Sequence, residues 1–191
     1  MGNLFNPFRA IAGAKSLVLG LLFIAASSLI LWSGGAVQDG YLHYAYFNIA
    51  WWRVAVVEVL WWLLPSLILY LIGVVWSRSK IRLVDVLGTT AFSRLAMLPS
   101  VTLLVVPYFK RASLEVVQSI QEGAMSAGTE LYALIAMGIV SMLCLALFFV
   151  WNYKAFSTSC NLRGGWVVTI YIAVQLAITL FGGYLLRTII L

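Results

Sequence analysis

Charge is what this sequence has least of. Only 9% of its 191 residues are charged while 63% are apolar, whereas a soluble domain carries roughly a quarter charged residues. A chain so short of charge cannot dress a core with a hydrated surface, which excludes water as its solvent. Histidine is nearly missing: His43 stands alone, with no second histidine or acidic cluster at ligand spacing, so interfacial packing is its expected role and no metal is assigned. Cysteine occurs twice, too rarely for a disulfide framework. Cys144 falls in an apolar run and Cys160 in a basic connection, so both are expected as free thiols, with acylation of Cys160 near the bilayer surface the alternative.

Enzyme signatures are absent too. There is no His-Glu-x-x-His, Gly-x-Ser-x-Gly, phosphate-binding glycine loop or Cys-x-x-Cys, and no nucleophile stands beside a base within the apolar runs. No catalytic residue and no cofactor is assigned. Lysine and arginine outnumber aspartate and glutamate by 12 to 6, yet they form no dense patch interleaved with aromatics, so nucleic acid is not an expected partner. The lipid bilayer is, together with membrane-protein partners or further copies of the chain.

What is present is a series of long apolar runs. Each crossing needs about 20 apolar residues, and runs at 17–32, 54–76, 83–109, 131–151 and 166–186 meet that requirement. The expected fold is an all-α polytopic bundle of five transmembrane helices forming one membrane domain over 1–191. Residues 1–16 place Phe5, Phe8, Ile11 and Ala12 beside Arg9 and Lys15, the pattern of an amphipathic segment on the cytoplasmic membrane surface. A cleaved signal peptide is the competing reading of the first run, which exceeds the usual signal core of roughly 7–15 residues. Residues 33–52 read as a loop. Within 110–130, Leu114, Val117, Ile120 and Ala124 recur at helical spacing, suiting a short interfacial helix that ends at Gly123.

Two patterns support five crossings. Arg9, Lys15, Arg78, Lys80, Arg82, Lys154 and Arg163 fall on one side, against Arg53, Lys110, Arg111 and Arg187 on the other. The positive-inside rule then places the amino terminus in the cytoplasm and the carboxyl terminus outside. Trp32, Trp51, Trp52, Trp76, Trp151 and Trp166 lie at span ends, where an indole is half buried with its N–H wet; only Trp61 and Trp62 do not.

Ionisable groups within spans mark candidate sites, because an unpaired charge at mid-bilayer costs on the order of 3 kcal/mol or more. Glu58 and Arg94 are these groups, and with Asp85 they make up a candidate intramembrane polar site. Counting along ideal helices puts Arg94 roughly 20 Å and Glu58 about 6–8 Å from the outer helix ends, so a direct salt bridge requires a shifted or kinked helix. Pro65 and Pro99 are the expected kinks, freeing the carbonyls of Trp61 and Leu95. Asp85 is expected to pair with Arg78 or Arg82. Ala133, Ala136, Gly138 and Ser141, with Gly182 and Gly183, would allow close helix packing.

The stretches Asp85-Val-Leu-Gly-Thr-Thr-Ala-Phe-Ser-Arg-Leu-Ala-Met-Leu-Pro99 and Tyr153-Lys-Ala-Phe-Ser-Thr-Ser-Cys-Asn-Leu-Arg-Gly164 resemble bacterial members of the Yip (Ypt/Rab-interacting protein) membrane-domain family, and Asn6-Pro-Phe-Arg9 is a weaker match. The resemblance implies five spans with a cytoplasmic amino terminus. Eukaryotic members are associated with Rab-type GTPases through a substantial amino-terminal region, which here is about one short helix, so the resemblance speaks to fold more than to activity. The expected function is that of a non-enzymatic integral protein of the bacterial inner membrane that organises lipids or partner proteins. The alternative is a small channel or transporter with a polar site around Arg94 and Glu58.

Overall fold

A computed structural model describes residues 6–9, 11–77, 79–123 and 128–190, with the side chains of Arg9 and of 185–190 left out of the description. The chain forms α1 (Ala14–Gly34), α2 (Trp51–Trp76), α3 (Leu83–Ser93), α4 (Leu98–Val105), α5 (Pro107–Gln121), α6 (Thr129–Ser159) and α7 (Gly165–Ile190). Five segments are long and apolar enough to cross a membrane: α1, α2, α3 with α4, α6 and α7. The five-span helical bundle expected from hydropathy is the fold observed.

The third span is broken where the prolines foretold irregularity. Arg94–Met97 forms a 3-10 turn between α3 and α4, because Pro99 has no N–H to give the carbonyl of Leu95 and the chain tightens ahead of it. Pro65 leaves α2 continuous. The span ends at Val105 rather than 109, since Val106 is extended (φ −64, ψ 124) and Pro107 opens α5. At the next span the helix outruns the apolar pattern: α6 continues beyond Trp151 to Ser159, burying Asn152, Ala155 and Phe156, and the chain turns away at Asn161, whose φ is 49.

Two segments depart from their expected roles. Within 33–52, a β-hairpin forms from β1 (Ala36–Gly40) and β2 (His43–Tyr46), antiparallel, pairing Ala36 with Tyr46 and Val37 with Ala45. The strands are short, carry Val37, Tyr44 and Tyr46, and are joined by the two-residue turn Tyr41-Leu42, a pattern that a window sized for spans passes over. The hairpin fills the bundle, for Val37 and Tyr41 pack with Val57 and Trp61 of α2, Phe148 of α6 and Ile178 of α7. Trp61 lies ten residues into α2, ~15 Å down its axis, so the hairpin reaches into the bundle; Ala36, Val37, Gln38 and Tyr41 are buried, while His43 is exposed and meets Asp39 at 2.6 Å. At the amino terminus, Phe8 is buried edge-on against Phe92, so the described part of that segment is anchored in the bundle rather than lying on its surface. Residues 1–5 and 10 lie outside the described residues.

Backbone approach orders the bundle. Gly20 of α1 and Gly88 of α3 each lie against the other helix's main chain, making α1 and α3 the most intimate helix pair. Of the small residues expected at contacts, Ser141 accepts a hydrogen bond from Ser100 at 2.8 Å and Gly182 lies under Trp61, while Gly138 and Gly183 meet nothing within 4 Å. Helix α6 packs on α3, α4 and α5 but barely touches α7, which rests on α2 and β1.

Both cysteines are free and buried. The Cys160 sulfur lies against Gly73, which leaves no room for the acyl chain considered above, and burial pushes its thiol up to about 12. Maleimide at neutral pH should therefore label Cys160 at least tenfold more slowly in the folded protein than after SDS denaturation, since the thiolate is the reacting form. Equal rates would contradict this burial.

Candidate functional site

Sequence reasoning left Arg94 and Glu58 at different depths, and the structure closes the gap. Arg94 opens the 3-10 turn, eleven residues from the start of α3, while Glu58 lies near the opposite end of α2. The long Arg94 side chain spans the difference, and its Nη2 donates to Glu58 Oε2 at 3.2 Å and to Gln38 Oε1 at 2.7 Å. The Glu58 side chain is 2% exposed and that of Arg94 10%, so the pair sits inside protein rather than in lipid.

The hairpin supplies what the helices lack. Gln38 of β1 accepts from Arg94, donates its Nε2 to the carbonyl of Tyr41 at 2.6 Å, and offers its own carbonyl to Trp61 Nε1 at 2.9 Å. The off-pattern tryptophans are explained in the same way, since Trp62 Nε1 donates to the Leu87 carbonyl at 3.2 Å. From α1, Ser27 places its hydroxyl 3.3 Å from Glu58 Oε2 and 3.0 Å from the Ile24 carbonyl. Glu58 Oε1 is buried without a partner among the described residues. Beside it a cavity of about 10 Å³, lined by Ser27, Tyr44, Met97 and Val101, is large enough for one water.

Asp85 does not belong to this cluster. It lies nine residues before Arg94, ~13 Å along α3, and makes no ion pair with Arg82 among the described residues; Arg78 lies outside them. The Asp85 backbone carbonyl instead accepts from Thr89 Oγ1 at 2.7 Å and Ser159 Oγ at 3.3 Å.

Residues passed over by the sequence reading complete the polar interior. Thr89 meets Ser159 at 2.9 Å, Thr90 meets Ser66 at 2.7 Å, and Asn152 Nδ2 donates to Ser93 Oγ at 3.2 Å. These hydroxyls make 83–109 the least apolar run, and their burial accounts for it: this span is the most enclosed of the five. The signal for Ser27, and for Ser28 beside it, which donates to the Ile24 carbonyl at 2.7 Å, was a pair of hydroxyls inside the first apolar run. Gln38 gave none, because a polar residue in a loop is unremarked.

Chemically the cluster is a buried ion pair bonded through Glu58 Oε2, with Oε1 left without a partner among the described residues. Among the described residues no group of three His, Cys, Asp or Glu side chains is placed to hold a metal ion. Comparison with known proteins finds no matching family model, no matching curated protein and no matching solved structure.

Proposed function

We propose that this chain is a non-catalytic integral membrane protein of the Yip-like type that organises lipids or partner proteins, with its amino terminus in the cytoplasm and a bacterial inner membrane as its setting. What supports an organising role over transport is the closure of the polar centre. Arg94 donates to both Glu58 and Gln38, and the space beside them has room for one water rather than a pathway. Lipid-facing surface is abundant instead: Ile135, Ile139, Met142 and Leu143 of α6 are exposed apolar residues. The five spans and the distribution of basic residues are consistent with the family and the orientation.

Reconstituted liposomes test the reading. Wild-type protein should pass ions and small solutes no faster than empty vesicles, and native nanodisc mass spectrometry should find lipid or a stoichiometric partner chain retained. Flux that falls in Glu58→Gln and Arg94→Ala would sink the proposal in favour of a transporter built on this pair.

A further inference from the structure

Where α6 and α7 part, a second and separate site opens. Leu42 at the hairpin tip, Phe149 of α6, and Tyr171, Gln175, Leu176 and Thr179 of α7 are among the residues lining a groove of about 350 Å³, within the size range of small-ligand sites. Among the described residues no charged side chain lines it. Gln175 is 4% exposed, and among the described residues neither Oε1 nor Nε2 has a partner in hydrogen-bond geometry. The Tyr41 and Tyr171 phenols come close enough to feel the amide, yet neither meets it in hydrogen-bond geometry, and the Tyr171 hydroxyl donates to the Phe149 carbonyl at 3.3 Å.

Depth decides what can partner that amide. Gln175 is ten residues from the start of α7, ~15 Å along the axis, the middle of a hydrocarbon layer about 30 Å thick. Phospholipid esters and headgroups reside at the interface, so a phospholipid tail covers the apolar walls and leaves the amide bare, at a continuing free-energy cost. The missing partner is thus an uncharged polar group on a molecule that lives in the membrane core. To satisfy both amide atoms it must donate as well as accept, as a hydroxyl does and a carbonyl does not. Phe149 and Tyr171 beside the amide favour a flat aromatic ring over a saturated body.

We propose that this groove binds a lipid-soluble quinol, with its ring beside Phe149 and Tyr171, a ring hydroxyl on the Gln175 amide, and its tail running past Leu176 toward the bilayer. The assignment goes beyond the organising role and does not depend on it. No redox step is involved.

The full chain in phosphatidylcholine nanodiscs is titrated with decylubiquinol kept reduced, bound ligand being counted by native mass spectrometry. One molecule should bind saturably, and decylubiquinone several-fold more weakly. Gln175→Leu, which keeps the volume and removes the amide, should lower affinity at least tenfold. Leu176→Trp, at a position 57% exposed and therefore tolerant of bulk, should narrow the groove and lower it comparably. Unsaturable partitioning, binding unaltered in both variants, or displacement by added phosphatidylglycerol would overturn the proposal. Should Gln175→Leu fail to fold, the Leu176→Trp titration decides alone.

Discussion

Arg94→Ala should destabilise the protein in bilayers by about 3 kcal/mol or more, the cost of leaving a buried carboxylate without its cation. The reason is how little else holds Glu58. Its Oε2 receives Arg94 at 3.2 Å and a Ser27 hydroxyl at 3.3 Å that also faces the Ile24 carbonyl, and its Oε1 has no partner among the described residues. Deleting the guanidinium also strips Gln38 Oε1 of its 2.7 Å donor, and with it the hydrogen bond that ties the hairpin to the 3-10 turn. The pair need not be a net stabiliser for this to hold, since replacing both charges with apolar groups of similar size is often neutral or better. Glu58→Leu with Arg94→Met should therefore recover most of the loss, with a coupling free energy of at least ~1 kcal/mol in a double-mutant cycle. The measurement is the unfolding midpoint in bicelles for the wild type, both singles and the double. A wild-type midpoint for Arg94→Ala would show that the pair is hydrated and not enclosed.

How far the sequence could be read follows from which physical signal each feature leaves. Long apolar runs register directly as spans because hydrocarbon demands them, and all five crossings were legible. Glu58 and Arg94 were legible for the complementary reason: a charge in such a run is expensive and so conspicuous. Their meeting was not, because depth was counted along ideal helices, and the structure breaks the third span at Arg94–Met97. The hairpin escaped because its eleven residues, polar in part, resemble a loop in any window that averages over a span. Gln38 escaped with it, although it is the residue that joins the hairpin to the ion pair. Helix ends erred at 105 and 159 because hydropathy marks where a segment is greasy, whereas Pro107 and the left-handed Asn161 mark where the helix stops.

Gly20→Val should be the second severe change, and it tests a different contact. A Cβ at Gly20 would meet the Ala91 side chain and lie 2.6 Å from both the Ala91 carbonyl carbon and the Phe92 nitrogen. The obstacle includes main chain of α3, which cannot turn aside as a flexible side chain does. Gly88 makes the reciprocal approach, since a Cβ there would lie 2.8 Å from Gly13 O and from Leu17 N of the facing segment. Between lipid-solvated helices, close packing of this kind replaces the hydrophobic drive that water supplies elsewhere, so forcing the pair apart removes contact along the whole seam. A loss of about 3 kcal/mol is expected, the upper end for an overpacked core. The contrast lies in Gly138→Ala and Gly183→Ala, where nothing stands within 4 Å; better helix propensity should make these neutral or stabilising by up to ~1 kcal/mol. Because α3 leads into the turn that carries Arg94, displacement by Gly20→Val should also weaken the coupling between Arg94 and Glu58 in the same double-mutant cycle. If Gly20→Val unfolds like Gly138→Ala, α1 and α3 do not touch through their backbones.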